Sequence, residues 1–339
     1  MGKTSKDKRG KLIWLLLTII MGLVGCSPDG QKTTGHKNDF PIHDCHVHAL
    51  SPALLRVWQE RGTPFNRRDV YYTNIDSILS VLGAETIDLI SVGYFFTSSI
   101  MYSGSDGRER LVAENDFILD CAAKHPQRVR PFVAIDPFMA APTEEIDRCL
   151  LANPTIGVKI HANVSRIFLR DQTHIRKLDT VLTHAAQKDI PVLLHFHNMG
   201  FDFGRVDFSI LVDSILVNLP PIKLRLAHLG AGGGRFSTQN LAVLDTYLEF
   251  LKQNRIPQEH QIRFDLSAVF IGENEEEIPP LTNEEIAYLR AYFRKVDPHL
   301  LLFGSDYPLY TSTDYRDVLV NTLKMDLALF TQSRQHGTD

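Results

Sequence analysis

Ile42-His43-Asp44-Cys45-His46-Val47-His48 has the length and β-branched character of a short strand, with polar, proline-bearing sequence on both sides. Similar runs return at 86–93, 128–135, 157–161, 191–197, 223–229, 261–268 and 300–305. Amphipathic stretches with helical spacing separate them: parts of 52–82, then 109–125, 143–152, 173–188, 208–219, 238–254 and 283–296, with 314–329 closing the series. Eight strands, each followed by a helix, read as parallel βα units. They favour a closed (β/α)8 TIM-type barrel over an open doubly wound sheet. No GxGxxG follows the first strand, which argues against a dinucleotide-binding fold. The barrel domain is expected over residues 41–330, followed by a short tail, 331–339.

The 339 residues, 44% hydrophobic and 22% charged, supply a large core and exclude a disordered chain. A net charge of -4 offers no general attraction to phosphate backbones, so no nucleic-acid partner is expected. Four scattered cysteines form neither a disulfide framework nor a CxxC metal pair; Cys121 and Cys149 fall on successive helices, where a disulfide remains open. Lys3, Lys6, Lys8, Arg9 and Lys11 precede the apolar run 12–24, which is shorter than a spanning helix and reads as a secretory signal. Leu23-Val24-Gly25-Cys26 resembles a bacterial lipobox, which makes Cys26 the lipidation site, residues 1–26 the signal and 27–40 a flexible tether. An uncleaved anchor helix is the alternative. Both place the body outside the cytoplasm. The lipobox resemblance, with Ser27 after the cysteine, implies a lipid anchor in the outer membrane of a bacterial envelope.

Histidines end several strands. Alternation at period two puts His46 and His48 on one face of the first, with Asp44 deeper on that face and Cys45 and Val47 on the other. The fifth strand ends in His195 and His197, the sixth in His228, and the eighth in Asp306; the fourth carries Lys159 and His161. Asp44, Asp265 and Ser267 are placed to orient a histidine through its second ring nitrogen. Each residue taken singly reads as a structural hydrogen-bonding group. Together they terminate strands on the one rim where a barrel builds its chemistry. Two long loops, 94–108 and 271–282, emerge on the same rim; the first carries Tyr94, Phe95, Phe96, Met101 and Tyr102, either a pocket wall or ordinary loop packing.

The strand-end motifs DCHVH, GVKIH, PVLLH, LAHLG and FGSDYP, in this order, resemble the amidohydrolase superfamily, in the branch that includes aminocarboxymuconate semialdehyde decarboxylase and several lactonases. The resemblance covers residues 41 to about 325. It implies a single divalent metal held by His46, His48, His195 and Asp306, with His228 beside the metal-bound water or the substrate. His195 is preferred over His197 by its place directly after the apolar run, which leaves His197 to touch substrate. Lys159 occupies the position where binuclear relatives carry a carbamylated lysine; here it is read as a pocket cation, with His161 lining the same pocket. Three imidazoles and a carboxylate suit Zn²⁺, with Mn²⁺ a substitute.

Such a Lewis acid brings the pKa of water toward about 7, Asp306 takes the released proton, and His228 polarises the carbonyl. The expected reaction is hydrolysis of a lactone, amide or ester of a small carboxylic substrate. A decarboxylase on the same scaffold is the alternative. It would need a cation for the substrate carboxylate, for which Arg235, at the end of Gly230-Ala231-Gly232-Gly233-Gly234, is the sequence's best offer. A non-catalytic envelope lipoprotein is the third reading. Relatives are often dimers, so a homodimer is also expected from the resemblance.

Overall fold

A computed structural model describes residues 41–63, 65, 67–99, 101–197, 204–234, 236–270 and 280–326. Eight strands run in one sheet in sequence order: β1 (His43–His48), β2 (Thr86–Ile90), β3 (Val129–Ala134), β4 (Gly157–His161), β5 (Val192–His195), β6 (Lys223–Leu226), β7 (Gln261–Asp265) and β8 (Leu301–Leu302). Every neighbouring pair is parallel. The sheet closes where β1 meets the chain after β8: Cys45 N–H donates to Phe303 O (2.9 Å), Asp306 N–H to His46 O (2.8 Å) and His48 N–H to Tyr307 O (3.0 Å). This is the TIM-type barrel expected from the strand–helix alternation.

Helices cover the outside: α1 (Pro52–Glu60), α2 (Ile75–Leu82), α3 (Gly107–Lys124), α4 (Pro142–Ala152), α5 (Gln172–Gln187), α6 (Arg205–Ser214), α7 (Ala242–Lys252), α8 (Asn283–Phe293) and α9 (Ser312–Asp317). Their starts are written locally. Ser51 accepts from Leu54 N–H ahead of Pro52, Asp171 accepts from Thr173 N–H, and Thr282 forms a reciprocal capping box with Glu285. Gly83 ends α2 in the left-handed conformation (φ 78°), and a Cβ there would also strike the Thr313 hydroxyl. Among the described residues no helix is long and apolar enough to cross a membrane.

Alternation along the strands sorts the barrel into an outer and an inner set. Ile87, Leu89, Val133, Val158, Ile160, Val192, Leu194, Leu224, Leu226, Ile262 and Phe264 belong to the main core beneath the helices. The inner positions are different. A small apolar plug of Ile90, Phe132, Leu193 and Ala227 fills the middle. Arg130, Arg225 and Arg263 lie toward the N-terminal mouth, and His46, His161, His195 and His228, with Asp306, toward the C-terminal one. The plug depends on Gly157: a Cβ built there would lie 2.2 Å from the Phe132 ring, so the ring's seat exists because that position has no side chain.

Strand β1 departs from simple alternation. Its register with β2 shifts between Asp44 and Val47, an irregularity that moves one residue out of phase. Asp44 consequently does not reach a ligand histidine's ring. Its Oδ1 accepts from the backbone N–H of His46 and of Ser305 (both 3.0 Å), and its Oδ2 from the Ser312 hydroxyl (2.6 Å). It clasps β1 to the start of α9. Cys45, expected on the strand face away from His46 and His48 as a core residue, is fully buried, its thiol pushed up by that burial within the field of Arg225, Asp265 and Asp88. Cys121 and Cys149 are free, buried thiols, so no disulfide joins their helices.

Candidate metal centre

The ends of β1 and β8 bring three ligand-type groups together. The ligand atoms of His46, His48 and Asp306 all lie within 4.8 Å of one another. Asp306 Oδ1 stands 3.2 Å from His48 Nε2 and 3.4 Å from His46 Nε2. The approach is close enough to need a glycine: a Cβ at Gly304 would sit 2.7 Å from His46 Cβ and 3.2 Å from Ser267 Cβ. Asp306 itself takes a left-handed backbone (φ 59°), as do His228 (φ 54°), Leu229 (φ 58°) and Ala268 (φ 49°). Such conformations cost about 1–3 kcal/mol each in non-glycine residues and concentrate where a fold must aim particular side chains.

The rings are pinned from behind. His46 Nδ1–H donates to Asp265 Oδ2 (3.0 Å) and lies 3.0 Å from Ser267 Oγ, while His48 Nδ1–H donates to Ile90 O (3.2 Å). His228 Nδ1–H donates to Ser267 O (2.6 Å), and its backbone N–H to Asp265 Oδ1 (2.9 Å). An acceptor behind Nδ1 fixes the proton there and leaves Nε2 with a lone pair. His46 Nε2 is fully buried and has no hydrogen-bond partner among the described residues. An orphaned acceptor of this kind costs on the order of 1–3 kcal/mol unless something binds it. With His48 Nε2 and the Asp306 carboxylate facing it, the chemistry of a divalent cation fits.

Electrostatics agree with the geometry. Burial, opposed by Asp265, lowers the His46 pKa to about 3, so the ring is neutral. Burial would raise the Asp306 and Asp265 carboxyls, but His46 and its neighbours overcome it and hold both well below the usual carboxylate range. Neutral imidazoles and an ionised carboxylate are the protonation states a metal requires.

His195 lies outside the three-residue group. Its ring stacks on His161 (centroids 3.9 Å, 14° between planes) and meets His228 edge-on at 4.9 Å, and His228 stands 5.1 Å from His46. The mouth thus holds a continuous row of imidazoles. Burial first, then Lys159 for His161 and the His161 ring for His195, with His228 acting on both, push the two well below the ordinary histidine value. His197 is 6.4 Å from His195, lowered to about 4 by burial and His228, and packs against Gly232, where a Cβ would come 3.3 Å from its Nδ1. Lys159 is buried below the row, in the field of Asp265 and Asp306; burial lowers it to about 8.

The glycine segment after β6 is held in place, with Gly234 N–H donating to Ala268 O (2.8 Å) and the Asn240 amide to Gly232 O (3.3 Å). Arg235, Cys26, the tether and the tail lie outside the described residues, as does most of the acidic loop 271–282. Of the aromatic loop after β2, Tyr94, Phe95, Phe96 and Met101 are buried in a second apolar cluster with Trp58 and Tyr72. Tyr94 also touches the His161 ring at 4.8 Å, so the loop's aromatic residues are packed against the rest of the fold.

Sequence reading passed over the charges inside the strands: Asp88, Arg130, Arg225 and Arg263. The signal was present, because a charge flanked by apolar residues, as in Ile87-Asp88-Leu89 or Leu224-Arg225-Leu226, must face the interior of a barrel whose outer surface is covered.

The amidohydrolase family pattern matches residues 44–336. The chain belongs to the amidohydrolase family. The sequence has no match among curated proteins. Among solved structures, it is similar to 2,6-dihydroxybenzoate decarboxylase complexed with 2,6-dihydroxybenzoate, at 15% identity and TM-score 0.56, covering 86% of this chain and 96% of that one. A dihydroxybenzoic acid decarboxylase from Polaromonas with bound manganese is 15% identical (TM-score 0.53, covering 86% and 93%). The 4-oxalomesaconate hydratase of Rhodopseudomonas palustris is 14% identical (TM-score 0.54, covering 87% and 94%). At these identities the likeness is one of fold.

Proposed function

We propose that this amidohydrolase is a metal-dependent hydrolase acting on a lactone, amide or ester of a small carboxylic compound. The observation that carries the reading is the buried, unpartnered Nε2 of His46 facing His48 Nε2 and Asp306 while Asp265 fixes its other nitrogen. His46, His48 and Asp306 hold the ion, with the neutral ring of His195 as the further ligand. A divalent cation bound there, Zn²⁺ or Mn²⁺, supplies Lewis acidity that polarises a carbonyl oxygen and makes water a nucleophile near neutral pH.

The protein's own groups do the rest. Asp306, ionised and at the edge of the group, accepts the proton that an attacking water gives up and passes it to the leaving group. His228 holds its Nδ1–H on Ser267 O, which leaves its Nε2 lone pair to orient the attacking water by a hydrogen bond. His161, stacked on His195, and His197 beside it are the groups placed to touch substrate.

Decarboxylation is the second reading. Lys159, a cation buried beneath the histidine row, is suited to a substrate carboxylate, and similar structures include decarboxylases. Screening purified full-length protein against lactones, esters, amides and aromatic acids in ¹⁸O-labelled water separates the two. Label in the acid product supports hydrolysis; unlabelled product with CO₂ release supports the lyase. Metal analysis tests the shared premise: an ion stoichiometric in wild type and lost in His46→Ala is expected, and equal content in both removes the case.

The same proposal places the enzyme in a bacterial envelope, on the outer membrane, tethered through a lipidated Cys26. Cys26→Ala is expected to release it from the membrane fraction.

A further inference from the structure

At the end of the barrel opposite the histidines, the N-terminal mouth opens into a cavity of about 470 Å³. Its lining includes six cations, Arg128, Arg130, Lys188, Lys223, Arg225 and Arg263, but Asp189 is the sole carboxylate residue among the lining groups. Asp88, just inside, is shared: it takes two hydrogen bonds from Arg130 (2.8 Å each) and one from Arg225 (2.7 Å). Lys223 pairs with Asp189 (2.6 Å) and Lys188 with Asp147 (3.2 Å).

Two guanidiniums are left over. Arg128 donates to the backbone carbonyls of Glu85 (3.0 Å) and Ala84 (3.2 Å) and has no carboxylate partner among the described residues. Arg263 makes neither a hydrogen bond nor an ion pair among the described residues, and burial together with Arg225 weakens its hold on its proton. Arg263 is half-buried in the field of Arg225, whose carboxylate partner Asp88 is already shared with Arg130, and such a guanidinium gains strongly from an anion that can accept several N–H bonds at once.

We propose that this mouth is a binding site for a phosphate-bearing anion, with Arg263 and Arg128 supplying the charge that no carboxylate among the described residues neutralises. A dianion balances the pair. The cavity exceeds what one phosphate group fills, which selects a pyrophosphate or a phosphate ester over a lone inorganic ion. The chain enters the fold at the same mouth, since His43, the first residue of β1, lines the cavity. The ligand's source is therefore either a free phosphate compound or a membrane headgroup beneath the tethered domain.

The test is calorimetric titration of full-length protein in non-ionic detergent with inorganic pyrophosphate, repeated for Arg263→Gln, Arg263→Lys and His46→Ala. Saturable binding is expected in wild type, about tenfold weaker in Arg263→Gln, partly restored in Arg263→Lys and unchanged in His46→Ala. Because Arg263 has no partner to orphan, Arg263→Gln should melt no lower than wild type without pyrophosphate; a purely structural arginine would lower it. Absence of binding, binding indifferent to Arg263→Gln, or binding lost in His46→Ala each overturns the proposal, the last by assigning pyrophosphate to the other mouth. Competition then assigns the source. Displacement of pyrophosphate by micelles doped with phosphatidylglycerol, but not phosphatidylcholine, identifies a headgroup site, and persistence identifies a free phosphate compound; both keep the anion site.

Discussion

The two mouths of the barrel are built from the same strands, a few residues apart, and carry opposite chemistry. At the C-terminal mouth, neutral imidazoles and one ionised carboxylate leave a buried acceptor unsatisfied. At the N-terminal mouth, arginines outnumber the acids that pair with them. Between them sits the apolar plug of Ile90, Phe132, Leu193 and Ala227, with the guanidiniums of Arg130 and Arg225 over the Phe132 ring at 5.3 and 5.0 Å. The difference teaches that interior barrel positions are not one core. The side that receives the βα loops can afford groups that wait for a ligand, whereas charges at the other side must satisfy one another or an external ion.

The comparison breaks most visibly at His46. His46→Ala is expected to abolish stoichiometric divalent metal, read by elemental analysis, with a fall of about 1–3 kcal/mol in a urea titration from the Nδ1–H donor that buried Asp265 loses. Asp88→Asn should behave inversely. Buried Arg225 and partly exposed Arg130 lose their shared partner, which costs about 3–5 kcal/mol in a denaturant titration, with metal content retained. Should Asp88→Asn lose metal while staying folded, the two mouths are coupled through the plug and the contrast fails.

A milder change sharpens the assignment. Asp265→Asn keeps the shape but weakens the acceptor behind His46 Nδ1, and metal affinity measured by chelator competition is expected to fall roughly 10–100-fold. The smallest expected effect lies outside both mouths. Glu114 accepts from Ser51 N–H (2.8 Å), and burial raises its pKa to about 7 from 4.5. A folded-state pKa above the unfolded one means stability is present below pH 4.5 and falls as pH rises through 7. Glu114→Gln, which keeps the acceptor, should therefore melt near wild type at acidic pH and gain roughly 2 kcal/mol above neutrality. A gain of equal size at both pH values would show that ionisation is not the cause.

How much could be read beforehand varies from element to element. β4 matches the expected 157–161 residue for residue, because Gly157-Val158-Lys159-Ile160-His161 alternates without interruption. β8 was expected over 300–305 and pairs over Leu301–Leu302 alone, since the chain beyond it turns to place Asp306 beside His46. The His-X-His pair and Asp306 were legible as strand-end groups. The role of Asp44 was not, because one register shift in β1 redirects it to Ser305 and Ser312. Likewise, Asp265 was one of three residues with an equal claim to orient a ring, and the fold chose it by bringing β7 to within 3.0 Å of His46.

Sequence alone determined the order of strands and helices, the helix caps, and which residue types end which strands, because period-two alternation and capping are local properties of the chain. Tertiary structure decided which of those ends meet: that His46, His48 and Asp306 share one point while His195 stacks on His161, and that Arg263 lines a cavity without an ion-pair partner among the described residues. Those outcomes rest on barrel closure, on one shift of register and on two glycines that let neighbours approach, and such long-range distances leave no trace in local pattern.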